Sequence, residues 1–160
     1  MWLRDLLPQH LPAVRVMIYG YSAQVQGATQ ATSILEDHAE TFRQRLLLFR
    51  RFEACQKHPL ILIGHSLGGL VIKEFIAKID ESQRSQFSIR SVLFFGVPHH
   101  GLVHESLQTM VKGQPSSTIV DQLKPGSPTL RKLDAALCKA TVLTHFSIHT
   151  FYESQETRTG

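Results

Sequence analysis

The sequence predicts an α/β layer fold built on a mostly parallel sheet. Two observations point there. Short runs rich in strand formers alternate along the chain with stretches whose apolar residues return every three or four positions, the order expected of strands joined by helices. The runs at 60–66 and 91–97, LILIGHS and SVLFFGV, are almost uniformly apolar, as strands covered on both faces of a parallel sheet are. With 160 residues, 42% hydrophobic and 19% charged, one soluble domain spanning 1–160 is expected.

The elements follow in order. WLRDLL at 2–7 sets Trp2, Leu3, Leu6 and Leu7 on one helical face, and Pro8 and Pro12 stop that helix. VRVMIYG at 14–20 reads as a strand closed by Gly20. A small, polar loop leads to Ser33 and Glu36, a capping-box pair. Leu35, Ala39, Phe42, Leu46 and Phe49 then form one stripe of a helix that Pro59 ends. After LILIGHS the period changes: Leu70, Val71, Phe75, Ile76 and Ile79 make a helical stripe, with Glu74 and Lys78 paired at i,i+4 on its wet side. SVLFFGV is the next strand, closed by Pro98. Residues 99–129 are irregular and lid-like, with glycine and proline at 101, 113, 115, 125, 126 and 128. Ser127 caps a helix with Pro128 at its first position; Leu130, Leu133, Leu137 and Cys138 form its buried side. HFSIHTFY at 145–152 alternates as a further strand. About four strands result.

Composition narrows the partners. The formal net charge of +4 is a mild excess, densest at Arg43, Arg45, Arg50 and Arg51. A solvated helix face is expected there, with peripheral contact to an acidic membrane surface as the alternative. No aromatic residues interleave with a basic groove, so no nucleic acid is expected. Cys55 and Cys138 have no metal-ligand spacing, and reduced, buried thiols in a cytoplasmic setting are expected. The first fifteen residues do not resemble a signal peptide, and no apolar run approaches the ~20 residues of a membrane span. Nine histidines invite a metal, but no H-E-x-x-H or paired spacing supports one; neither metal nor cofactor is expected.

GHSLG at 64–68 matches G-x-S-x-G. Composition alone puts such a match in about one chain in twenty of this length, so the setting must carry the weight. Ser66 falls where an apolar strand gives way to a helix. A serine in that bend is held strained, its hydroxyl projecting over the carboxyl edge of the sheet. Gly64 and Gly68 keep the crowded strand–helix approach open. The N–H of Leu67, at the helix N-terminus, can donate to a developing oxyanion. A plain glycine turn remains the rival. A phosphate loop fits less well, because the Lys-Ser/Thr of a P-loop is missing and G-x-G-x-x-G does not match.

GHSLGGLVIKEF followed by SVLFFGVPHHG resembles the serine esterases of the α/β-hydrolase superfamily, most closely fungal lipase-like domains often found at the N-terminus of NACHT-type signalling proteins. These are related to serine-active-site proteins implicated in phospholipid remodelling. WLRDLLPQHLPAVRVMIYGYSA and IHTFYES match in order and spacing, so the resemblance covers nearly the whole chain. It implies a partial α/β-hydrolase fold, Ser66 as nucleophile, and Glu153, after the IHTFY strand, as the acid orienting a histidine. It implies an ester or lipid substrate and further domains or a signalling partner in a longer gene product. It places the protein in the cytoplasm, or peripherally at a mitochondrial or endoplasmic reticulum membrane.

The match then breaks. The superfamily order is Ser, Asp or Glu, then His, and no histidine follows Glu153. The second oxyanion donor belongs on a loop that would precede Met1. The strand before it would sit between 14–20 and 60–66. A fragment, a shortened gene product, or a variant that closes the gap otherwise is expected, with little hydrolysis by this chain alone. His99 and His100, with His104 nearby, follow the SVLFFGV strand close to the edge where Ser66 belongs. They line the pocket or shape its loop, or one of them replaces the missing base. The side chain of His65 is turned away from Ser66. His145 and His149 lie within a strand, and His10, His38 and His58 have no catalytic setting. Three functions stay open: a serine acyl hydrolase, a catalytically dead hydrolase-like interaction or signalling module, and a remnant with no activity of its own.

Overall fold

The computed structural model describes residues 2–21, 35–52, 57–102, 117–144 and 146–152. At its centre are three parallel strands, β1 (Leu60–His65), β2 (Ile89–Phe95) and β3 (Ser147–Phe151), in the order β1-β2-β3. The register aligns Ile63 with Leu93 and His65 with Phe95, then Phe95 with Phe151. All three strands therefore end at one carboxyl edge.

The N-terminal segment departs from expectation. Helices α1 (Trp2–Asp5) and α2 (Leu7–His10) are two short turns, neither with a buried residue. Pro8 does not stop a helix; it occupies the first turn of α2, where its missing N–H has no intrahelical acceptor to lose. Residues 14–20 form no strand, so the sheet has three strands rather than about four among the described residues. Strand propensity is realised only against a neighbour, and Val14, Val16, Met17 and Ile18 stand exposed. Aromatic rings hold the end of this segment: Tyr19 lies 4.9 Å from Phe42 and Tyr21 lies 5.0 Å from His38, centroid to centroid.

Helix α3 (Leu35–Phe52) presents the expected stripe: Leu35, Ala39 and Leu46 are buried, Phe42 and Phe49 half-buried. Ser33 of the capping box lies outside the described residues. The N–H of Leu35 instead donates to the Gln122 side chain at 3.1 Å. Arg50 is not part of a solvated basic face. It is buried, donating to the carbonyls of Gln86 at 3.1 Å and His58 at 2.8 Å.

Helix α4 (Leu67–Lys78) is enclosed nearly all round, every residue from Gly69 to Ile76 being buried. It packs against α3, β1 and α7 (Pro128–Thr144). Its enclosure changes the reading of Glu74, which is buried while paired with exposed Lys78 at 3.0 Å. A helix absent from the sequence expectation, α5 (Glu81–Phe87), follows. Asp80 caps it, accepting from the Gln83 N–H at 2.8 Å, and Phe87 packs edge-on against Phe75 at 4.9 Å. Within 99–129, helix α6 (Ser117–Gln122) is ordered rather than irregular. Ser127 caps α7 as expected, its Oγ accepting from the Leu130 N–H at 3.2 Å. Leu130, Leu133, Leu137 and Ala140 occupy the buried face of α7. Cys138 lies off that face and is an exposed free thiol; Cys55 is outside the described residues.

Among the described residues, helices cover the sheet on one side only. Leu60, Leu62, Val92 and Phe94 are buried beneath the helices, whereas Ile61, Ile63, Phe95 and Phe151, which share the other face, are 38–54% exposed. The expectation that LILIGHS is covered on both faces fails for that reason. No helix among the described residues is long and apolar enough to cross a membrane.

Candidate active site

The turn from β1 into α4 holds its serine in an unusual backbone conformation. Ser66 sits at φ 51°, ψ −130°, in the left-handed half of the map. A non-glycine residue there is strained by roughly 1–3 kcal/mol, and such strain persists only where surrounding contacts enforce it. Here they do. The Ser66 N–H donates to the Phe95 carbonyl at the end of β2, 3.1 Å away, and the Ser66 carbonyl accepts from the Gly69 N–H at 3.1 Å. Ser66 is partly exposed and its hydroxyl makes no capping bond to the helix it precedes. Leu67 is the first residue of α4, so its N–H has no acceptor within the helix.

The strand–helix approach is tight, at a pair of glycines differing from the one the motif suggests. A Cβ on Gly64 would lie 2.6 Å from the Gly69 Cα, and one on Gly69 would lie 2.1 Å from Val97 Cγ2. A Cβ on Gly68 would meet only the Tyr21 hydroxyl, at an ordinary 3.6 Å. The close-packing role expected of Gly68 therefore belongs to Gly69. Gly68 instead leaves open space beside a phenol, which burial makes harder to ionise.

The histidines are dispersed. His65 points to the uncovered sheet face and is exposed, on the side away from α4. His100 is exposed and His99 half-buried. The His99 ring stands edge-on to Phe94 at 5.1 Å, and its Nδ1 lies 3.3 Å from Lys73 Nζ. Lys73 is seven residues past Ser66, about two helical turns along α4. His99 is thus occupied away from the serine. Glu153, His104 and His145 lie outside the described residues. The chain is described through Tyr152, just beyond β3, whose last residue Phe151 pairs with Phe95.

One cluster lies outside the sequence expectation. Lys73 is wholly buried and forms an ion pair with Asp134 of α7, whose side chain remains partly exposed. Its signal was present: Lys73 lies three residues from Leu70 and three from Ile76, inside the apolar stripe. Among the described residues no group of three or more His, Cys, Asp or Glu could hold a metal ion. The arrangement sets a partly exposed hydroxyl, on a strained backbone, beside the first N–H of a helix.

A family model described as lecithin:cholesterol acyltransferase matches residues 29–139. Among curated proteins, the chain is similar to Protein SERAC1 of Mus musculus, 27% identical over 165 residues, and of Homo sapiens, 27% over 167 residues. Protein SERAC1 of Danio rerio is 25% identical over 165 residues. Each alignment covers 99% of this chain and 25% of the relative, so the chain spans about a quarter of the length of the relatives it matches. No solved structure gives a significant match.

Proposed function

The chain belongs to the lecithin:cholesterol acyltransferase family, and from that premise we propose that it is a serine acyl hydrolase or acyltransferase domain acting on lipid esters, with Ser66 as nucleophile. The observation that carries the proposal is the left-handed backbone of Ser66 between an apolar strand and the N-terminus of a buried helix. A nucleophile serine held in a tight strand–turn–helix bend is expected to have such a backbone. Ser66 Oγ attacks the ester carbonyl as a base removes its proton. The oxyanion accepts from the Leu67 N–H, the alcohol leaves with a proton, and water or a second alcohol releases the acyl group. Glu153 takes the acid role, orienting a histidine that is not among the described residues. A lipid ester brings the domain to a membrane surface peripherally, as part of a longer chain.

Labelling with a fluorophosphonate probe tests this. Ser66→Ala should abolish labelling; a Ser66 inert to the probe both in this chain and in the longer gene product overturns the proposal. A second reading, a hydrolase-like module that binds a signalling partner without turnover, is favoured by the placement of the described histidines. His65 faces the bare side of the sheet and His99 is held by Lys73. Probe labelling of Ser66 decides against it.

A further inference from the structure

The segment leaving β2 runs along one face of α4 and meets it at three places. The Phe95 carbonyl accepts from the Ser66 N–H at 3.1 Å. Two residues on, Val97 fills the notch left by Gly69, so closely that any side chain at 69 would collide with it. Two residues further, His99 Nδ1 lies 3.3 Å from Lys73 Nζ. Positions 66, 69 and 73 share a helix face, and the chain, bending at Gly96 (φ 54°), brings the Phe95 carbonyl, the Val97 side chain and the His99 ring to it in turn. A seam results that begins at Ser66 and ends at Lys73.

The last contact depends on charge. An ammonium group only donates, so His99 Nδ1 must accept, and the proton of the neutral ring sits on Nε2. That Nε2 is buried and has no hydrogen-bond partner. A protonated His99 turns a second N–H and a second positive charge toward Lys73, and the contact is lost. Among the described residues, three ionisable groups act on this ring: Lys73 from α4, Asp134 from α7 and His100 from its own loop; from β2, Phe94 packs edge-on against it. Burial first, then Lys73, holds His99 below its ordinary value of 6.5; Asp134 opposes them and His100 adds slightly to the lowering.

We propose that Lys73 and His99 are positioning residues for Ser66, closing the far end of a seam that fixes the β2 terminus to which Ser66 is bonded, and that acid opens it. The proposal rests on Ser66 being the nucleophile. Its test is the rate of fluorophosphonate labelling of Ser66 in the full chain, from about pH 4.5 to about pH 8.5, with thermal unfolding followed in parallel. His99→Asn keeps an acceptor for Lys73 but cannot titrate. It should label within about threefold of wild type at neutral pH; in acid both slow as the base that takes the Ser66 proton is protonated, but wild type should fall about tenfold further than His99→Asn. Lys73→Met should label about tenfold more slowly at neutral pH; if it does not fold, His99→Asn decides alone. A His99→Asn to wild-type rate ratio that stays constant from neutral pH into acid overturns the seam while leaving Ser66 as nucleophile. A Ser66 that labels neither in this chain nor in the longer gene product overturns both.

Discussion

Adding one methyl group separates the glycines around Ser66. Gly69→Ala drives a Cβ to 2.1 Å from Val97 Cγ2, and either Val97 or α4 must shift. We expect a loss of ~1–3 kcal/mol in thermal or urea unfolding, the usual effect of overpacking, with partial recovery in the Gly69→Ala, Val97→Ala double variant. Gly68→Ala meets only a phenol oxygen at contact distance and does not sit at positive φ. It should be neutral or stabilising by up to ~1 kcal/mol, because alanine is the better helix former. The motif made Ser66, Gly64 and Leu67 legible, since all three follow from a strand turning sharply into a helix. It did not reveal which later glycine is crowded, because that depends on Val97, some thirty residues away in sequence. Lys73 was legible in principle, as a cation inside an apolar stripe; its partners Asp134 and His99 were not, because a turn and a helix far along the chain deliver them.

Among elements, α4 and the two longer strands follow from their patterns, and the departures follow from what covers them. The uniform apolar run LILIGHS predicts two buried faces, yet only Leu60, Leu62 and Gly64 lie beneath α4. The strand carries one functional core face and one bare apolar face. Leu62→Ala should therefore cost ~2–5 kcal/mol, whereas Ile61→Thr should change stability by no more than ~0.5 kcal/mol. Denaturant unfolding of both variants checks the contrast, and equal losses would mean that the bare face is covered in solution. The segment 14–20 has the composition of a strand without a neighbouring backbone to complete it. Composition cannot supply that neighbour, and Val14, Val16 and Ile18 consequently face outward. The order of α6 and the placement of Cys138 were illegible for a related reason: both depend on which side α4 and α3 leave free for the C-terminal helices.

For the whole molecule, acid is the natural stress. His38 is buried against Tyr21, and half-buried His99 packs against Phe94 and Lys73; desolvation is the first cause of the downward displacement of both imidazoles. The unfolded chain then binds protons more readily than the folded one. Stability is fully present above the ordinary imidazole value of 6.5 and is lost as pH falls from there through the lower folded values. Melting temperature measured down the pH scale should show that decline, and it should be shallower in His99→Asn. A flat profile across this window would contradict the placement of both rings. The carboxyl edge has a different consequence. The Ser66 N–H is bonded to Phe95, and the Gly96 N–H is bonded to Phe151 at 2.9 Å. These two bonds lace the ends of all three strands together. Neither amide can trade its hydrogen for deuterium unless a strand end first lifts away, so the serine's freedom to breathe is governed from the opposite margin of the sheet.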